Sequence, residues 1–136
     1  ALGLSQMTRL DDFVKRRHEL ARRYDEMLAD LPVLTPWQHP DSYSGLHLYV
    51  IRLKLTEIRV RHREVFESLR NQGIGVNLHY IPVHTQPFYE AMGFAPDDFP
   101  ESMGYYSEAI SIPMYHGLTF EQQDVVVAAL KQALSV

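Results

Sequence analysis

The chain has 136 residues, 46% of them apolar and 22% charged, with a net charge of −4 and a pI near 5.9. That is enough for one domain with one core, and the mildly acidic balance argues against nucleic acid or an anionic membrane as a partner. No cysteine is present, which excludes disulfides, thiolate metal sites and a cysteine nucleophile and fits the cytoplasm; no apolar run is long enough to span a bilayer.

Residues 4–31 read as one long helix. Leu4, Met7, Leu10, Phe13, Leu20, Tyr24, Met27, Leu28 and Leu31 recur at helical spacing, and Asp11–Lys15, Asp12–Arg16 and Glu19–Arg23 are acid-to-base pairs four apart. Pro32 closes it, and its charges read as a solvated face. At about 40 Å it is long for so small a domain, as expected of a helix that bridges to another domain. The chain opens at Ala1 inside this pattern rather than at a methionine, which is expected of a segment of a longer protein.

Residues 32–45 hold three prolines and a glycine and read as a connecting loop, with Trp37 expected to anchor it on the core. Residues 46–55 form the first strand, apolar on both faces and so expected to be covered on both sides. A helix follows over 59–72 with Val65, Phe66 and Leu69 inward, and Gly73 takes the left-handed position after it.

The run from Gly73 to Tyr89, GIGVNLHYIPVHTQPFY, begins as a second strand. Ile74, Val76, Leu78 and Tyr80 share its core face, while Gly75, Asn77 and His79 share a polar face open to a ligand. Pro82 ends that strand. The long stretch up to a third strand at 109–114 is expected to hold short helical turns at 86–92 and 100–108. A last helix runs from Thr119 to the end, with Thr119 and Gln122 in capping-box spacing. The fold expected is a two-layer α+β small domain. It has about three strands packed with helices, and is divided into a long linking helix over 1–31 and the domain proper over 32–136.

Two histidines, Asn77, Tyr80, Gln86 and Tyr89 converge on the junction after the second strand, the usual make-up of a site. Three readings of His79 and His84 compete. A metal site lacks the three or four ligands zinc needs. General acid–base work lacks a nucleophile or a cofactor motif beside it. The third is a pair of histidines that only pin loop backbone. A free-standing α+β module that binds a small molecule or a metal therefore stays open on these residues alone.

Three stretches carry a resemblance: ALGLSQMTRLDDF at 1–13, the run at 73–89, and AISIPMYHGLT at 109–119. They resemble the C-terminal part of the DegT/DnrJ/EryC1/StrS family of sugar-nucleotide aminotransferases, enzymes of PLP fold type I. The resemblance covers nearly the whole chain. Within the family the HYIPVH run is most similar to the transaminases of pseudaminic acid biosynthesis. These aminate C4 of a UDP-linked 4-keto-6-deoxy-N-acetylhexosamine with glutamate as donor. The resemblance implies a homodimeric parent enzyme whose large N-terminal domain carries the PLP lysine. Lys15, Lys54 and Lys131, the only lysines here, lie outside that motif, so this segment is expected to be inactive alone and to bind no PLP. Position by position, the resemblance implies nucleotide-sugar contacts from His79, Tyr80, His84 and Tyr89, with Asn77 beside them. No catalytic, cofactor or metal ligand is expected.

Overall fold

The computed structural model describes residues 2–135. Two helices, α1 (Leu2–Met7) and α2 (Leu10–Leu28), lead into strands β1 (Val33–Leu34) and β2 (Tyr49–Leu53). Helices α3 (His62–Asn71), α4 (Pro87–Glu90) and α5 (Pro100–Glu108), strand β3 (Ala109–Ile112) and helix α6 (Phe120–Leu134) follow. The three strands form one antiparallel sheet in the order β1-β2-β3.

The register sets the core. Tyr49 pairs with Ile112, Ile51 with Ile110 and Leu53 with Val33, so all six side chains share one face. That face closes on Leu20, Tyr24 and Leu28 of α2, Val65 and Leu69 of α3, and Val126, Leu130 and Leu134 of α6. Each such side chain contributes about 1.5–3 kcal/mol on burial, well above the 0–1 kcal/mol of an exposed ion pair. The result is an α+β small domain whose sheet and helices share a single core.

The single helix expected over 4–31 is in fact two. Thr8 Oγ1 donates to the Ser5 carbonyl at 2.8 Å and Arg9 N–H to the Gln6 carbonyl at 3.1 Å, which tightens and ends the first helix. Asp11 and Asp12 then favour a new N-terminus. Nor is the basic face of α2 simply solvated. Arg16 Nη2 donates to the Leu118 carbonyl, and Arg16 and Arg23 both lie over the Phe120 ring, at 4.6 and 5.1 Å. Arg23 pairs with Asp124 at 2.6 Å. Among the described residues these contacts, with Arg16–Glu19, stand in place of the three i,i+4 pairs.

The loop expected over 32–45 contains β1, hidden from sequence because it is two residues long between prolines. Trp37 is 77% exposed and its ring meets the edge of His39; the loop is held instead at the Ser44 and Gly45 carbonyls, which accept from His18 and Arg17. The first strand shortens to β2. Its second face, at Val50 and Arg52, is only half covered, with Arg52 paired to Glu108 and lying over Tyr105.

The run at 73–80 does not form a strand. A single antiparallel bridge, Asn77 to Ser111, joins it to the free edge of β3. Asn77 Oδ1 accepts the following N–H, that of Leu78, at 2.8 Å, a local side-chain-to-backbone bond. Ile74 and Val76 are buried as expected, but Tyr80 is 72% exposed, because the pairing has already ended. Gly73 adopts φ +79° and closes α3 with Gly73 N–H to the Arg70 carbonyl and Ile74 N–H to the Leu69 carbonyl. The turns at 87–90 and 100–108 form, and Thr119 and Gln122 exchange both capping-box bonds at the start of α6.

Two tyrosines in the core make stability pH-dependent. Tyr24 donates to the Pro113 carbonyl and Tyr49 to Asp25. Burial pushes both phenols well above their ordinary range, and the Asp25 carboxylate raises Tyr49 further. The native state therefore keeps protons that the unfolded chain releases near pH 10, so this stabilisation is full below about pH 10 and is lost as pH rises beyond it. Melting temperatures measured between about pH 8 and 11.5 should fall steeply above pH 10, and Tyr49→Phe should flatten that fall.

Candidate functional site

Between the 73–79 segment, the end of β3 and the start of α6 lies a cavity of about 550 Å³. Leu48, Ile74, Ile112, Met114, Leu118 and Val126 supply its apolar walls. Its polar groups are Asn77, His79, Ser111, Tyr115 and Gln122, and among the described residues no charged side chain lines it. Each wall has a specific support. Tyr24 and Arg16 hold the carbonyls of Pro113 and Leu118, while Gly75 leaves open space where a Cβ would project.

The polar end is built on the Asn77–Ser111 bridge. Asn77 N–H donates to the Ser111 carbonyl at 3.1 Å and Ser111 N–H to the Asn77 carbonyl at 2.9 Å. Residues facing one another in an antiparallel bridge point to the same side, and His79, two residues on, falls diagonally beside Ser111. Its Nδ1 lies 2.7 Å from Ser111 Oγ and its Nε2 lies 3.3 Å from Asn77 Nδ2. The His79–Tyr80 peptide is cis, and the two rings meet edge to face at 4.6 Å between centroids.

The five residues expected to form one site are divided. Asn77 and His79 line the large cavity together. Tyr80 stands beside His79 but faces solvent. His84 and Tyr89 line a separate cavity of about 300 Å³ with Val83, Phe94, Phe99 and Ser102. His84 is only 8% exposed; its ring packs on Phe99, and its buried Nε2 has no hydrogen-bond partner among the described residues. Among the described residues no group of three or more His, Asp or Glu side chains is placed to hold a metal ion.

Ser111, Tyr115 and Gln122 were not singled out from sequence as site residues. Ser111 and Tyr115 lie within the 109–119 stretch, but only strand register brings Ser111 opposite Asn77.

Comparison with known proteins gives the same outline. The model of the DegT/DnrJ/EryC1/StrS aminotransferase family matches residues 1–131. The spore coat polysaccharide biosynthesis protein SpsC of Bacillus subtilis is 37% identical over 134 residues, 96% of this chain and 34% of that protein. Among solved structures, the PLP-form of Spr1654 from Streptococcus pneumoniae superposes with a TM-score of 0.88 at 25% identity, over 98% of this chain and 34% of that one. PseC of Helicobacter pylori, an aminotransferase involved in pseudaminic acid biosynthesis, superposes with a TM-score of 0.86 at 28% identity, over 98% of this chain and 36% of that one. The chain thus spans about a third of the length of the proteins it matches.

The residues present do not fit PLP. The cavity offers neither a lysine to bond the cofactor nor a cation for its phosphate. Lys54 pairs with Glu57 at 3.4 Å, and Lys15 and Lys131 lie exposed on α2 and α6.

The orphaned nitrogen of His84 yields a stability prediction. Burying a polar atom without a partner costs about 1–3 kcal/mol, and replacing it by an apolar side chain of similar size is close to neutral or stabilising. His84→Leu should therefore leave the urea midpoint unchanged or raise it, by up to about 1 kcal/mol in unfolding free energy. A loss above about 2 kcal/mol would mean that the imidazole has a polar partner after all.

Proposed function

The chain belongs to the DegT/DnrJ/EryC1/StrS aminotransferase family, and from that premise we propose that it is the C-terminal small domain of a longer, PLP-dependent, cytoplasmic sugar-nucleotide aminotransferase. One observation carries the reading. A family match over nearly the whole chain coincides with a cavity that has hydrogen-bonding groups but no lysine. The lysine and most cofactor contacts then belong to a large N-terminal domain, for which relatives about three times as long leave room. Leu4, Met7 and Leu10 on α1 and α2, with Tyr80, Val83 and Phe88 on the loop, are exposed apolar side chains that this domain or the second protomer of a homodimer would cover. The segment 1–31 is the link, although the second half of α2 also enters the core of 32–136.

In this proposal the enzyme aminates C4 of a UDP-linked 4-keto-6-deoxy sugar with glutamate as donor. PLP, held outside this chain, supplies the amino-group chemistry. The chain's own residues bind and orient the sugar nucleotide. Asn77 and His79 meet it from the polar end of the cavity, and Tyr80 reaches it with an exposed phenol. His84 and Tyr89 belong to the same loop and shape a second pocket beside it. None of the five transfers a proton.

Single-turnover kinetics of the two half-reactions test the proposal. A hydrogen bond to a bound neutral group contributes roughly 0.5–1.5 kcal/mol. His79→Ala should thus lower kcat/KM for the sugar half-reaction by about ten-fold, equivalent to about 1.4 kcal/mol, and Tyr80→Ala by a similar factor. His84→Ala should lose less, because its ring packs within the loop. The half-reaction with glutamate should be nearly unchanged in all three. Equal losses in both halves would place these residues at the cofactor, and no loss in either would leave them with a structural role only.

A further inference from the structure

The Asn77–His79–Ser111 cluster admits one arrangement of protons. Leu78 N–H donates to Asn77 Oδ1 at 2.8 Å, which turns the amide nitrogen toward His79 Nε2 at 3.3 Å. An amide nitrogen only donates, so Nε2 of the neutral ring accepts. The ring proton then sits on Nδ1 and is donated to Ser111 Oγ at 2.7 Å. The opposite tautomer would set Nε2–H against the amide N–H. Flipping the amide to relieve that clash would set its nitrogen against Leu78 N–H. The shorter bond is the one to Ser111, and Ser111 is the more firmly placed partner: it is 4% exposed and held in β3 by pairing with Val50 on one side and Asn77 on the other.

We propose that Ser111 is a positioning residue for His79. Its buried hydroxyl holds the imidazole as the Nδ1–H tautomer and leaves the Nε2 lone pair at the Asn77 end of the cavity. There it is an acceptor, bridged only by a long bond that a closer donor can replace. The cluster therefore favours a hydroxyl or N–H of a ligand at this nitrogen and disfavours a phosphate oxygen, which has no proton to give. That His79 touches the sugar rests on the proposed function; the tautomer does not.

The test uses the protein at its natural length, labelled with ¹⁵N-histidine, in buffer near pH 8.5 where an ordinary imidazole is neutral. Multiple-bond ¹H–¹⁵N correlation should show the Nδ1–H pattern for His79. Ser111→Ala should move the ring toward the Nε2–H form favoured in water, and Ser111→Thr, which keeps the hydroxyl, should restore the native pattern. Asn77→Asp, at an exposed position, offers a carboxylate that draws a proton onto Nε2 without disturbing Ser111. Ser111→Ala should also lower kcat/KM for the sugar half-reaction by about three- to ten-fold, with the glutamate half unaffected. An Nε2–H pattern in the wild type, or an unchanged pattern in Ser111→Ala, would overturn the assignment. A tautomer that moves as expected while both half-reactions stay intact supports the positioning role of Ser111 and removes His79 from substrate contact.

Discussion

Two backbone hydrogen bonds between Asn77 and Ser111 hold the 73–80 segment against the sheet. Among the described residues no other backbone bond pairs it with β3. A full ladder would have continued the sheet and closed the space beside it. One bridge leaves the segment extended but separate, with buried Ile74 and Val76 packing it down and Asn77, His79 and Ser111 gathered at one point. The polar end of the cavity is a direct consequence of where that pairing stops.

The opposite wall depends on α2. Gln123, fully buried in α6, donates to the Leu20 carbonyl at 2.9 Å, and the two helices meet along that contact. Arg16 and Arg23 then fix the Phe120 ring and the Leu118 carbonyl at the N-terminus of α6, while Tyr24 holds Pro113. A helix that reads as a linker is thus also the brace for the 113–120 turn. The short helix before it, α1, carries apolar side chains outward, Leu4 being 78% exposed.

Much of this was legible in the sequence, for identifiable reasons. The α+β class, α3 with its Gly73 cap, α5 and the Thr119 capping box follow from local signals of spacing, left-handed glycine and side-chain capping, and these survive folding unchanged. What failed was non-local. β1 is two residues long and exists only because Leu53 faces Val33. The 73–80 run has strand periodicity, yet whether it pairs depends on a neighbour's edge. The break at Thr8–Arg9 turns on a hydroxyl that either bonds backward or points to solvent. At the site, five residues that the sequence groups together are divided by the fold between two cavities and solvent. Asn77 and His79 sit two apart in an extended run and meet, whereas His84 lies beyond Pro82 in a turn at Val83–Thr85 and faces another cavity. Ser111 lay in a recognised stretch, but its role depends on strand register.

The central proposal is that this chain contributes to a substrate site while the cofactor is attached elsewhere. The most direct measurement is to incubate the chain with one equivalent of PLP, reduce with borohydride and map pyridoxyl-lysine by mass spectrometry. Lys15, Lys54 and Lys131 are exposed or paired and lie outside the cavity walls. The account predicts sparse labelling spread over all three. Stoichiometric labelling of a single lysine, with a visible absorbance band before reduction, would contradict it.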